Sequence, residues 1–136
     1  MMKAVIIDDE EDSRKILAGY LAKYCTDVEV CGFGESVATG KAAIQKHNPD
    51  VVFLDIEMPG LSGLEVAKQA SGRSHVVFVT AYDSYAVAAF EQGAVDYVLK
   101  PFSPARLATA VARLRGLRRV TVRASQVRSM TPSSLP

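Results

Sequence analysis

Five stretches of the chain are largely apolar, and each is followed by residues whose apolar positions recur at helical spacing. The stretches are Lys3 to Asp8, Val28 to Phe33, Val51 to Leu54, Val76 to Thr80 and Val95 to Leu99. Continuous runs such as Val51-Val52-Phe53-Leu54, rich in β-branched and aromatic residues, predict strands buried on both faces, as in the middle of a parallel sheet. Val28 to Phe33 instead alternates apolar with polar or small residues, which predicts a strand nearer an edge.

Between the strands, Ile16, Leu17, Tyr20, Leu21 and Tyr24 form one helical stripe over about residues 12–24, with acids at its N-terminal end where the macrodipole favours them. Ser36 opens a second helix carrying Val37, Gly40 and Ile44, weakened by nearby glycines, and Asn48-Pro49-Asp50 breaks it. Ser62-Gly63-Leu64-Glu65 has the form of a capping box, so a third helix runs from about Gly63 to Gln69 or Ala70. Ser84 to Gln92 predicts a short helix that is thin on its alanine side and ended by Gly93. Ser103-Pro104 is an N-cap with proline at the first helical position, and Leu107, Ala110, Val111 and Leu114 carry the stripe of a last helix.

Strands alternating with helices imply parallel pairing through right-handed crossovers. The economical closure is an α/β doubly wound five-stranded parallel sheet of order 2-1-3-4-5, a flavodoxin-like fold. After Gly116 the pattern fails. Residues 1–116 therefore read as one domain, and 117–136 as a basic linker or disordered C-terminal tail.

With 136 residues and 49% hydrophobic composition, the chain can bury a core without staples. No apolar run approaches the roughly 20 residues that span a bilayer, and the N-terminus lacks a signal-peptide pattern, so a soluble cytoplasmic protein is expected. Cys25 and Cys31 have no partners at metal spacing and read as reduced, semi-buried thiols. The net charge of +1 hides an asymmetry, −7 over residues 1–96 against +8 over 97–136. The basic tail lacks the interleaved aromatics of a stacking surface, so direct nucleic-acid binding is not expected of it.

The chemistry lies at the strand ends. The sheet order brings Asp8, Asp9, Asp55, Thr80 and Lys100 to one carboxyl edge, where open α/β folds keep their ligand sites. Pro59 cannot donate to the sheet, which stops the third strand at Pro59-Gly60 and frees the carbonyls of Glu57 and Met58. Three carboxylates and a freed carbonyl suit Mg²⁺ or Mn²⁺, held by Asp9, Asp55 and the Glu57 carbonyl with Asp8 acting through a bound water. Asp55 as nucleophile would accept a phosphoryl group, with Lys100 on one oxygen and Thr80 on another.

These residues carry a family resemblance. Asp8-Asp9 after the first strand, Leu54-Asp55-Ile56-Glu57-Met58-Pro59-Gly60 with Gly63 beyond, Thr80-Ala81, and Lys100-Pro101-Phe102 together resemble the receiver domain of bacterial two-component response regulators, over residues 3 to about 115. The resemblance implies a phosphorylatable Asp55, a histidine kinase as donor, a cis peptide at Pro101, and Tyr97 as an aromatic that turns inward when Thr80 moves onto the phosphoryl group. It also implies a switching surface of helix four, strand five and helix five for an output domain or a homodimer. Phe78-Val79-Thr80-Ala81-Tyr82 and its continuation look most like regulators with a LytTR DNA-binding domain. Too few residues follow 116 for such a domain, so it lies outside this chain or the protein is a stand-alone receiver.

Glu57 and Tyr82 are expected to flank the phosphoryl group and modulate water access. Such a protein catalyses only its own phosphorylation and dephosphorylation and is not a turnover enzyme. The alternative from another class is an aspartyl-phosphate phosphatase of the haloacid-dehalogenase type, but that family wants its nucleophile on the first strand with a second Asp two residues on, where this chain has Asp55 on the third and Glu57. A flavodoxin-like FMN binder shares the sheet order but needs a phosphate-cradling loop where this chain has five acids.

Overall fold

The structure, a computed structural model, describes residues 1–58, 62–70 and 72–130, with side chains as far as residue 117. The Pro59-Gly60 stop and the terminal residues 131–136 of the expected tail lie outside the described residues. Strands β1 (Met2–Ile7), β2 (Val28–Gly34), β3 (Val51–Leu54), β4 (His75–Thr80) and β5 (Asp96–Leu99) alternate with helices α1 (Glu11–Tyr24), α2 (Val37–His47), α3 (Gly63–Ala70), α4 (Ala86–Glu91) and α5 (Pro104–Met130). All strand pairs are parallel and the sheet order is β2-β1-β3-β4-β5, the order the alternation predicts.

Side chains leave a strand on alternate faces, so each apolar run feeds two cores. Ala4, Ile6, Val51, Phe53, Val77, Val79 and Val98 pack on one face beneath α1 and α5. Val5, Ile7, Val52, Leu54, Val76, Phe78 and Tyr97 pack on the other beneath α2, α3 and α4. The alternating strand β2 is an edge strand, as expected, and its register slips against β1 between Ala4 and Val5. Both cysteines are free, Cys25 buried and Cys31 half-buried.

Several local expectations need correction. The α1 stripe is narrower than its periodicity suggests: Leu17 and Leu21 are buried, but Ile16 and Tyr24 are half exposed, because neither the sheet nor α5 reaches the flanks of the stripe. The reciprocal capping box forms at α2, where Ser36 Oγ accepts from Thr39 N and Thr39 Oγ1 accepts from Ser36 N. At α3, Ser62 Oγ accepts from Leu64 N (3.1 Å). The stripe of α5 is as expected, with Leu107, Ala110, Val111 and Leu114 fully buried. The helix, however, does not end with its stripe and runs on through Met130. No Pro or Gly interrupts residues 117–130, so a lost apolar face does not by itself end the helix.

Candidate functional site

Each strand hands its last residues to the carboxyl edge. The ladder continues one step beyond the strands: Asp8 N donates to the Gly34 carbonyl (3.0 Å), Asp55 N to the Ile7 carbonyl (2.9 Å) and Lys100 N to the Thr80 carbonyl (2.8 Å). These bonds fix the backbone of the four residues at one level. Behind Asp55, the helix α3 starts at Gly63, whose N–H donates to the Ile56 carbonyl (2.7 Å). A Cβ at position 63 would strike the Asp55 carbonyl oxygen and lie 2.8 Å from Ile56 Cα, so only glycine lets the helix approach this closely.

At the centre, Lys100 Nζ reaches Asp8 Oδ2 (2.6 Å), Asp55 Oδ2 (3.1 Å) and Ser13 Oγ (3.2 Å). Asp8 and Asp55 are each 5% exposed. Asp55 Oδ1 accepts from Glu57 N (3.3 Å), and Asp8 Oδ1 from Glu10 N (2.9 Å). Burial pushes the Asp8 carboxyl above its ordinary value, because one ammonium shared between two carboxylates compensates each only in part. Burial alone would lower Lys100, but the hydrogen bond and charge of Asp8 and the charge of Asp55 outweigh it and hold the ammonium above its ordinary value. The peptide between Lys100 and Pro101 is cis.

The remaining candidates stand around this ion cluster. Asp9 is exposed, and one carboxylate oxygen each from Asp8, Asp9 and Glu10 lie within 4.8 Å of one another. Thr80 is fully buried, and its Oγ1 accepts from Tyr82 N (3.4 Å). Tyr97 is buried with its ring inward, and its hydroxyl donates to the Tyr82 carbonyl. Tyr82 is half exposed. The Glu57 carboxylate accepts from Tyr85 Oη (2.7 Å), which raises the Tyr85 phenol above its ordinary range.

Sequence reasoning missed Ser13 and Tyr85. Neither sits at a strand end, and only a structure shows that α1 brings one onto Lys100 and the start of α4 the other onto Glu57. It also missed the pairing of Asp96, a buried charge in β5 held by Arg106 (2.9 and 2.8 Å) and Arg113 (2.8 Å) of α5. An acid inside an otherwise apolar strand was the available signal. Beside Lys100 opens a cavity of about 450 Å³ lined in part by Ile16, Tyr20, Ala81 and Phe102.

The family model of the response regulator receiver domain matches residues 4–112. This chain belongs to that family. It is 44% identical over 117 residues to the transcriptional regulatory protein BtsR of Escherichia coli, covering 85% of this chain and 48% of BtsR. It is 42% identical to a response regulatory protein of Vibrio parahaemolyticus, covering 99% of this chain and 56% of that one. The chain thus spans about half the length of the curated relatives it matches. Among solved structures, the response regulatory domain of mrkE from Klebsiella pneumoniae superposes with a TM-score of 0.77 at 30% identity, covering 85% of this chain and 97% of that one. NtrX from Brucella abortus, solved in complex with ATP, gives 0.80 at 28% identity over 93% of this chain and 29% of its own. The receiver is a signalling domain, and membership sets aside the haloacid-dehalogenase and FMN-binding alternatives. Among the described residues no helix is long and apolar enough to cross a membrane.

Proposed function

We propose that Asp55 is the phosphoacceptor of this receiver and that transfer to it is Mg²⁺-dependent. The observation that carries the reading is Lys100 Nζ bridging the buried carboxylates of Asp8 and Asp55. The donor set fits a small hard cation: only oxygens are offered, and Asp8, Asp9 and Asp55 outnumber the one ammonium. Asp8, Asp9, Asp55 and the Glu57 carbonyl would hold Mg²⁺ or Mn²⁺, which would supply positive charge to the phosphoryl oxygens.

An Asp55 carboxylate oxygen attacks phosphorus as the N–P bond of a phosphohistidine on a histidine kinase breaks. The bonding pair stays on the imidazole nitrogen. Lys100 neutralises the incoming oxygens, and Thr80, released from Tyr82 N, supplies a hydroxyl to another. Hydrolysis returns Asp55 and inorganic phosphate, with Glu57 and Tyr82 at the mouth governing how readily water arrives. The domain thus catalyses only its own modification. The cavity beside Lys100 gives a donor protein an apolar foothold next to the acceptor.

Movement of Thr80 and of the Tyr97 hydroxyl would carry the signal to α4, β5 and α5, where Val87, Phe90 and Leu99 are exposed and fit a homodimer or an output domain. The transcriptional role in the name of BtsR supports a DNA-binding output beyond the receiver of a cytoplasmic regulator, and the likeness of Phe78-Val79-Thr80-Ala81-Tyr82 and its continuation favours the LytTR type. Incubation with acetyl phosphate and Mg²⁺ should give a hydroxylamine-sensitive label that Asp55→Asn abolishes. Undiminished label in that variant would move the nucleophile elsewhere.

A further inference from the structure

The segment between β4 and α4 is held at both ends by tyrosine hydroxyls. At its start, Tyr97 of β5 donates to the Tyr82 carbonyl, and Tyr82 N donates to Thr80 Oγ1 (3.4 Å). At its end, Tyr85 occupies the N-cap of α4 without making a side-chain cap bond, and its hydroxyl goes to Glu57 Oε1 (2.7 Å). The first tie belongs to the Thr80 and Tyr97 switch. The second reaches the other side of the site and is not accounted for by it.

Two features give this second tie weight. Helix α4 is short, six residues, and buries only Ala89, so few apolar contacts resist its displacement. Glu57 is also directly coupled to the acceptor, because its N–H is the group that holds Asp55 Oδ1 (3.3 Å). We propose that the Glu57–Tyr85 hydrogen bond is a resting-state latch that pins the start of α4 to the loop after Asp55 and is released when Asp55 is phosphorylated. The inference rests on the acceptor reading of Asp55 and adds a regulatory contact to it. A phosphoryl group on Asp55 places negative charge close to Glu57, two residues on, and alters the carboxylate whose Oδ1 Glu57 N holds. Both changes disfavour the present position of Glu57, and Tyr85 loses its acceptor. Tyr85 is therefore a positioning residue: its hydroxyl bonds to Glu57, not to Asp8, Asp9 or Asp55, and it acts on α4 through that bond.

The test is Tyr85→Phe in the full chain, which keeps the ring that packs against the core and removes only the hydroxyl. Amide hydrogen exchange of the resting protein should rise within residues 85–91 by about two- to tenfold, the equivalent of one hydrogen bond to an exposed charged group. With Mg²⁺ present, the beryllofluoride concentration that half-saturates the shift of the Thr80 and Ala81 amide resonances should fall by a similar factor, about two- to tenfold, because more of the protein already occupies the competent state. Glu57→Ala should reproduce the exchange gain in the resting protein with the sequence of α4 untouched, and Glu57→Gln, which keeps an acceptor for Tyr85, should show resting exchange near the parent's. A parent that responds to beryllofluoride while Tyr85→Phe matches it in both measurements overturns the latch alone. A parent that does not respond at all overturns the acceptor reading, and the latch's regulatory role with it.

Discussion

Strand β5 is flanked by two helices that are held in opposite ways. On one side α5 buries Leu107, Ala110, Val111 and Leu114 completely and adds Arg106 and Arg113 clamped on the buried Asp96. On the other, α4 buries Ala89 alone and leaves Val87 and Phe90 at 72% and 50% exposure. The backbone of Tyr97 belongs to the tight side, since its N–H donates to Asp96 Oδ1 (2.7 Å) and its carbonyl accepts from Arg106 (3.1 Å). Its hydroxyl belongs to the loose side. The proposed switch needs a fixed element against which another can move, and the two helices fit those roles.

The division can be attacked from its strong end first. Leu114→Ala should cost about 2–5 kcal/mol in urea unfolding, since it opens a cavity in the core beneath α5. A loss below 1 kcal/mol would mean that α5 is not the anchor. Next, Asp96→Asn should cost about 1–3 kcal/mol, as it removes the charge that holds two arginines while those arginines can still turn to solvent. Burial alone would raise the Asp96 pKa, but its hydrogen bonds to Arg106 and Tyr97 N outweigh that and hold it below the ordinary 3.8. The sign follows from the folded pKa lying below the unfolded one. The contribution is complete above the unfolded value and disappears as the pH falls from there through the folded value. The stability gap between parent and variant should therefore persist at neutral pH and close below about pH 4; a gap unchanged at pH 2 would refute the ion-pair account. The smallest effect should come from Val87→Ala on α4, within about 0.5 kcal/mol, as for surface positions generally. A larger loss there would erase the contrast between the helices.

Most of the architecture was legible because its signals are long and periodic. Uninterrupted runs such as Val51–Leu54 and Val76–Val79 can satisfy only a sheet covered on both sides, and alternating them with helices leaves little choice of order. The site was legible because its residues close those runs: Asp8, Asp55, Thr80 and Lys100 inherit their positions from the strands that precede them. Ser13 and Tyr85 inherit theirs from the rotation of a helix and the path of a loop, which no period encodes. The burial of Ile16 and Tyr24 was overestimated for a related reason, since a stripe states which residues share a face but not how wide a neighbour covers it. The length of α5 was missed because a stripe reports packing, while the helix beyond Gly116 meets no Pro or further Gly to stop it.

Gly63 gives Asp55, the proposed acceptor, a fixed depth. Helix α3 presses bare backbone against the back of Asp55, and any side chain at 63 would lean on that carbonyl from inside the protein. The reach of the carboxylate into the mouth is thus gauged by a residue with no polar side chain and no access to the ligand. Changes in reactivity can enter this centre from its rear wall, through sterics alone, while every charged group in front stays as it is.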